Sequence, residues 1–185
     1  MKQQFIETGN TQKFADICNE LMSPSSLIGP SLAMVTGPAG RGKTEAARHY
    51  SVHHGGIYIS PMITRTPAML LREICFELSG MRPARTDGCL NVIGEAMSQK
   101  RQLLIIDESD LLELRSLEML RNCNELFACP IVFLGEDSLK RKIGTRRTYE
   151  IGNVLLVDRA EFQTPAQQTC FPLFIGIQMV IGGRY

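Results

Sequence analysis

The chain has 185 residues, with 20 Lys plus Arg against 19 Asp plus Glu and a formal net charge of +1. So balanced a charge excludes bulk basicity as a means of holding nucleic acid, and any such partner must be met by local patches or by many copies acting together. At 44% apolar and 21% charged residues, the composition is that of an ordinary globular protein: one domain with an adequate core, or one domain plus a small appendage.

The N-terminus, Met1-Lys2-Gln3-Gln4-Phe5, has no apolar signal region, and no apolar run reaches the roughly 18 residues of a membrane span. Cys18, Cys75, Cys89, Cys123, Cys129 and Cys170 form no C-x-x-C pair. A reduced, cytoplasmic setting without a membrane partner is therefore expected, with Cys75 and Cys123 buried as small thiols. Residues 11–22 place Phe14, Ile17, Cys18 and Leu21 at helical spacing, predicting a short amphipathic helix. A turn-rich connector follows, then the buried strand Leu32-Ala33-Met34-Val35-Thr36, which runs into a glycine-rich loop. Residues 44–54 continue as a helix ended by Gly55 and Gly56.

A second strand is expected at 57–60 and a helix at 66–78, with Pro67 in its first turn and Gly80 at its end. A basic loop over 81–88 leads to a helix over 89–99 and a strand at 102–107. The remaining pattern is a helix over 111–126, a strand at 130–135 and a short basic helix over 138–143. Strands alternating with helices predict an α/β fold, a parallel sheet flanked by helices, with ligands outside the carboxyl ends of the strands. The chain divides into residues 1–30 (helix and connector), 31–147 (core) and 148–185 (an apolar tail of atypical, strand-like pattern).

Two motifs carry the chemistry. Gly37-Pro38-Ala39-Gly40-Arg41-Gly42-Lys43-Thr44 follows the P-loop pattern G-x-x-x-x-G-K-[ST]. Its glycines let successive N–H groups face phosphate oxygens at the positive end of the next helix. Lys43 is placed to reach the β- and γ-phosphates, and Thr44 to offer its hydroxyl to Mg²⁺. Leu103-Leu104-Ile105-Ile106-Asp107-Glu108 is a buried strand ending in two carboxylates. Asp107 is expected to hold the same ion through water, and Glu108 to orient or deprotonate the attacking water. Glu108 has a second reading, as a cap on the helix that starts near Ser109 and Asp110. The cofactors expected are ATP and Mg²⁺. His49, His53 and His54 fall at the end of the P-loop helix, where complementing the helix end is the simpler role than metal binding.

GPAGRGKTEAARHY at 37–50 and LIIDESDLL at 104–112 resemble the AAA+ ATPases of DNA transposition, and the resemblance spans about residues 10–147. It implies a P-loop NTPase core of AAA+/ASCE type. It also implies an ATPase that assembles on DNA as a homo-oligomer or filament, captures non-specific double-stranded target DNA and stimulates a transposase. Two departures stand out. The strand ending at Leu134-Gly135 should be followed by a polar sensor residue, and Glu136 stands there instead. The helical lid domain of the family is missing or replaced, so the tail reads as a truncated or frame-shifted end in which Val154-Leu155-Leu156-Val157 supply a fifth strand.

Arg65, Arg82 and Arg85 fall in loops that line the DNA path in this family; the residues alone fit a solvated loop equally well. Arg141, Lys142, Arg146 and Arg147 form a second basic cluster. The resemblance makes Arg146 and Arg147 candidates for an arginine finger toward a neighbouring subunit's nucleotide, against the plainer reading of a surface charge run. Three other functions fit the P-loop: a helicase-loader-like ATPase, a small-molecule kinase, and a nucleotide-binding scaffold without useful hydrolysis.

Overall fold

Four short apolar strands organise the molecule. The structure, a computed structural model, describes residues 8–23, 31–60 and 66–143. Arg65, Arg146, Arg147 and the tail from 148, with the expected strand at 154–157, lie outside the described residues. Strands β1 (Leu32–Thr36), β2 (Ile57–Ile59), β3 (Leu104–Ile106) and β4 (Ile131–Gly135) form one sheet in the order β1-β4-β3-β2. Every pairing is parallel, as the alternation of strands and helices predicts. Helix α1 (Gly9–Met22) precedes them, α2 (Lys43–His54), α3 (Pro67–Ser79), α4 (Thr86–Gln99) and α5 (Leu114–Phe127) connect them, and α6 (Asp137–Ile143) follows.

Period-two alternation along the strands separates the core into two layers. Leu32, Met34, Leu104, Ile106, Ile131 and Phe133 face one side, where they pack with Leu70, Ile74, Ile93, Leu117 and Leu120 from α3, α4 and α5. Ala33, Val35, Leu103, Ile105, Val132 and Leu134 face the other, against Phe14, Ile17 and Leu21 of α1 and Ala46, Ala47 and Tyr50 of α2. Because the strands are buried on both faces, they read as continuous apolar runs. Cys75 and Cys123 are buried as expected, and burial pushes their thiols up to about 12 and about 11.

Three helix starts differ from the sequence pattern by two residues or more, each for a local reason. Helix α1 begins two residues early because Thr8 and Thr11 form a reciprocal capping box, with Thr11 in the place usually held by Glu or Gln. Helix α4 begins at Thr86 rather than 89, which shortens the expected basic loop. Arg85 is still extended, and Asp87 in the first turn complements the helix dipole. Helix α5 starts at Leu114 rather than 111, because a 3₁₀ turn over Ser109–Leu111 and an extended Leu112 intervene.

At the amino end of the sheet, Asn124 of α5 fixes the starts of two strands. Its Nδ2 donates to the carbonyls of Cys129 at 2.6 Å and Ser31 at 3.3 Å, and meets the Ser31 hydroxyl at 3.0 Å. Asn124 is buried, so truncating it strands the Cys129 carbonyl, while the Ser31 carbonyl keeps the Ile131 amide at 2.9 Å. Asn124→Ala is expected to lower the unfolding free energy by about 1–3 kcal/mol, read as a lower urea midpoint with an unchanged slope.

Candidate functional site

The loop 37–42 joins β1 to α2 at the carboxyl end of the sheet. Gly40 at φ 74 and Gly42 at φ 84 hold left-handed backbone that glycine adopts without the penalty a Cβ imposes. Gly42 is the N-cap of α2 and supplies no side-chain cap, which leaves the first amides of the helix available to an anion. Lys43 opens the helix and is buried. Its ammonium donates to the carbonyls of Gly37 at 2.7 Å and Pro38 at 2.9 Å. Burial pushes the Lys43 ammonium down from its ordinary value, while Glu136, Asp107, Asp110 and Asp137 act in the opposite direction.

Asp107 follows β3 on the side that faces α2, by the same alternation that puts Leu103 and Ile105 there. Its Oδ2 accepts from the Thr44 hydroxyl at 2.8 Å and from the Tyr58 hydroxyl at 2.6 Å, and its Oδ1 from the Glu108 amide at 2.9 Å. Glu108 then turns the chain away in left-handed backbone, φ 47 and ψ 36, a conformation that costs a non-glycine residue about 1–2 kcal/mol. Its side chain makes no cap hydrogen bond. Its Oε2 is buried without a hydrogen-bond partner among the described residues.

Gly135 ends β4, one residue before the sensor position that Glu136 occupies, and its missing side chain has a use. A Cβ there would lie 2.6 Å from Asp110 Oδ1, which accepts the Glu136 amide at 3.1 Å. Lys142 donates to the carbonyls of Asp110 and, at 2.6 Å, Leu112. It therefore ties α6 to the turn after Glu108, and the free surface cluster pictured for 141–147 loses one of its members. The turn carrying Glu108 and the end of β4 are thus held as one piece.

Arg82 and Arg85 occupy the connection between α3 and α4. Arg82 lies 3.5 Å from Glu73 and 4.1 Å over the Phe76 ring. Arg85 lies 3.4 Å from Asp87, with its side chain 84% exposed. Helix α4 leads within a few residues into β3, and its Gly94 packs on Phe127 at the end of α5. The C-terminal half of α4 therefore sits at the amino end of the sheet.

His49 and His53 rings lie 4.3 Å apart, and His54 stacks on Tyr50 at 4.5 Å. Among the described residues no group of three or more His, Cys, Asp or Glu is arranged to hold a metal on its own. A cavity of about 260 Å³ opens between α1 and α2, lined by Thr11, Asn19, His49 and Tyr50 among others, and includes neither Lys43 nor Asp107. No described helix is long and apolar enough to cross a membrane.

Tyr58 is the member of this site that the sequence did not single out. Its position opposite Ile105 in the parallel register places it beside Asp107, and no local motif signals that.

Residues 28–143 match the family described as AAA domain. The DNA transposition protein B of the Mu-like prophage FluMu of Haemophilus influenzae is 30% identical over 179 residues, which cover 89% of this chain and 57% of that protein. The ATP-dependent target DNA activator B of Escherichia phage Mu is 34% identical over 131 residues, covering 67% of this chain and 41% of the relative. The chain thus spans about half the length of the curated relatives it matches. Among solved structures, the ORC1 protein of Aeropyrum pernix, solved in complex with DNA, superposes with a TM-score of 0.55 at 20% identity, over 80% of this chain and 43% of that one. At that identity the likeness is one of fold.

Substituting Gly135→Ala should displace the Asp110 carboxylate and break its bond to the Glu136 amide. The expected loss is about 1–3 kcal/mol of stability, measured by urea unfolding; an unchanged midpoint would show that Asp110 is free to move.

Proposed function

The chain belongs to the AAA domain family, and from that premise we propose that it is an ATP-dependent, DNA-binding regulator of transposition. Family membership implies nucleotide use. The observation that carries the finer reading is the 2.8 Å contact between Thr44 of the P-loop helix and Asp107 of the acid-ended strand. Two motifs separated by 63 residues meet at one pair of hard oxygen donors, the kind of donor set that suits Mg²⁺. The names of the relatives, a transposition protein B and an ATP-dependent target DNA activator B, supply the biological setting.

In this reading the amides of 37–44 bind the triphosphate, and Lys43 exchanges the carbonyls of Gly37 and Pro38 for phosphate oxygens. Thr44 and Asp107 would hold Mg²⁺, which supplies charge neutralisation on the phosphates when bound. The Glu108 carboxylate would orient or deprotonate the water that attacks the γ-phosphate. Binding of target DNA falls to Arg82 and Arg85, with Arg65, which follows the second strand in sequence; phosphate contacts position a protein without reading sequence, which suits non-specific capture. Activation of a transposase, ATP-dependent self-assembly and an arginine finger from Arg146 or Arg147 complete the proposal.

ATP turnover measured with and without non-specific duplex DNA tests it. Hydrolysis stimulated by DNA, together with large ATP-dependent assemblies, is the expected result; phosphate transfer to a metabolite without DNA dependence would defeat it. Lys43→Ala should weaken nucleotide binding. Glu108→Gln should keep binding and cut turnover by about 10²-fold or more, and normal turnover in that variant would remove Glu108 from its role. Arg85→Ala should reduce the log–log salt slope of DNA binding by about 0.9; an unchanged slope and affinity would take Arg85 off the DNA path.

A further inference from the structure

Tyr58 contributes one oxygen that packing does not require. Its neighbours in β2, Ile57 and Ile59, face the α3–α5 side, while Tyr58 packs half-buried against the layer beneath α2. A phenylalanine would fill the same space. The hydroxyl adds a 2.6 Å donation to Asp107 Oδ2, the same oxygen that Thr44 meets at 2.8 Å.

Asp107 is thereby held by two separate elements. Helix α2 reaches it through Thr44, and the neighbouring strand β2 reaches it through Tyr58. Arg48 of α2, with its guanidinium 5.3 Å from the ring centroid, covers the outer face of the ring.

We propose that Tyr58 is a positioning residue for the metal site, holding Asp107 in the rotamer that turns Oδ2 toward Thr44. This rests on the nucleotide reading above and adds to it a residue that acts only through Asp107. Partners of this kind orient the groups that hold an ion, and their removal typically costs about 10–100-fold in metal affinity.

The test is binding of a fluorescent ATP analogue to the full chain, first in EDTA and then over a Mg²⁺ titration, for wild type, Tyr58→Phe and Ile59→Val. The last is a packing control in the same strand: its side chain packs in the opposite layer from Tyr58, and the substitution leaves in place the Ile59 carbonyl that accepts the Asp107 amide at 2.8 Å. Tyr58→Phe should bind nucleotide in EDTA as wild type does but require about tenfold more Mg²⁺, or above, for half-saturation. Ile59→Val should match wild type in both. Equal Mg²⁺ requirements for Tyr58→Phe and wild type would overturn the inference while leaving the nucleotide reading intact. Loss of the folded state in Tyr58→Phe, or an equal shift in Ile59→Val, would assign the hydroxyl to stability and overturn it too. If wild type binds no nucleotide at any Mg²⁺ concentration, the nucleotide reading fails and this inference falls with it.

Discussion

A buried carboxylate must find partners or lose its charge, and the site is arranged around that constraint at Asp107. This side chain is 4% exposed and accepts from α2, from β2 and from the amide that follows it in the chain. Each donor belongs to a different segment. The carboxylate therefore fixes the P-loop helix, the second strand and the exit of the third strand relative to one another. Net gains for hydrogen bonds to a charged group are about 1.5–3 kcal/mol each, and orphaning one of these groups costs a similar amount. The three bonds are thus a substantial fraction of the about 5–15 kcal/mol that holds an ordinary domain together.

Around this fixed point lie the groups that violate local rules. Glu108 holds left-handed backbone without being glycine, and one of its oxygens is buried without a partner among the described residues. Lys43 is a buried cation whose hydrogen bonds to described residues are to loop carbonyls. Local exceptions of this sort persist where the surrounding structure over-determines them, and they concentrate at functional sites. Here the over-determination is visible. Asp110 and Lys142 lock the turn after Glu108 to the end of β4 and to α6, and Gly135 leaves the room that lock needs.

The departure noted at the sensor position takes on a physical meaning in this light. The Glu136 side chain is exposed, and its charge acts on Lys43 of the P-loop. What the end of β4 contributes is its amide, given to Asp110. The strand end and the acid-bearing turn therefore move together, a link made by backbone and carboxylate rather than by a side chain at 135.

By itself the sequence determined the fold class, the order of the elements and the pairing of the P-loop with the acid-ended strand. Apolar runs, glycine placement and the G-x-x-x-x-G-K-[ST] pattern are local, and each acts through residues adjacent in the chain. Even the side on which Asp107 emerges was implicit in the alternation of 103, 105 and 107. The start of α4 at Thr86 and the 3₁₀ turn at Ser109 were harder to read, because capping and turn chemistry compete with periodicity over only three or four residues. What only the tertiary structure decided is which side chains from separate elements share a partner: Tyr58 on Asp107, Asp110 in the space at Gly135, Lys142 on the Asp110 and Leu112 carbonyls. Those contacts depend on inter-strand register and on how helices lie over the sheet, and register is a property of paired strands that neither strand's sequence carries alone.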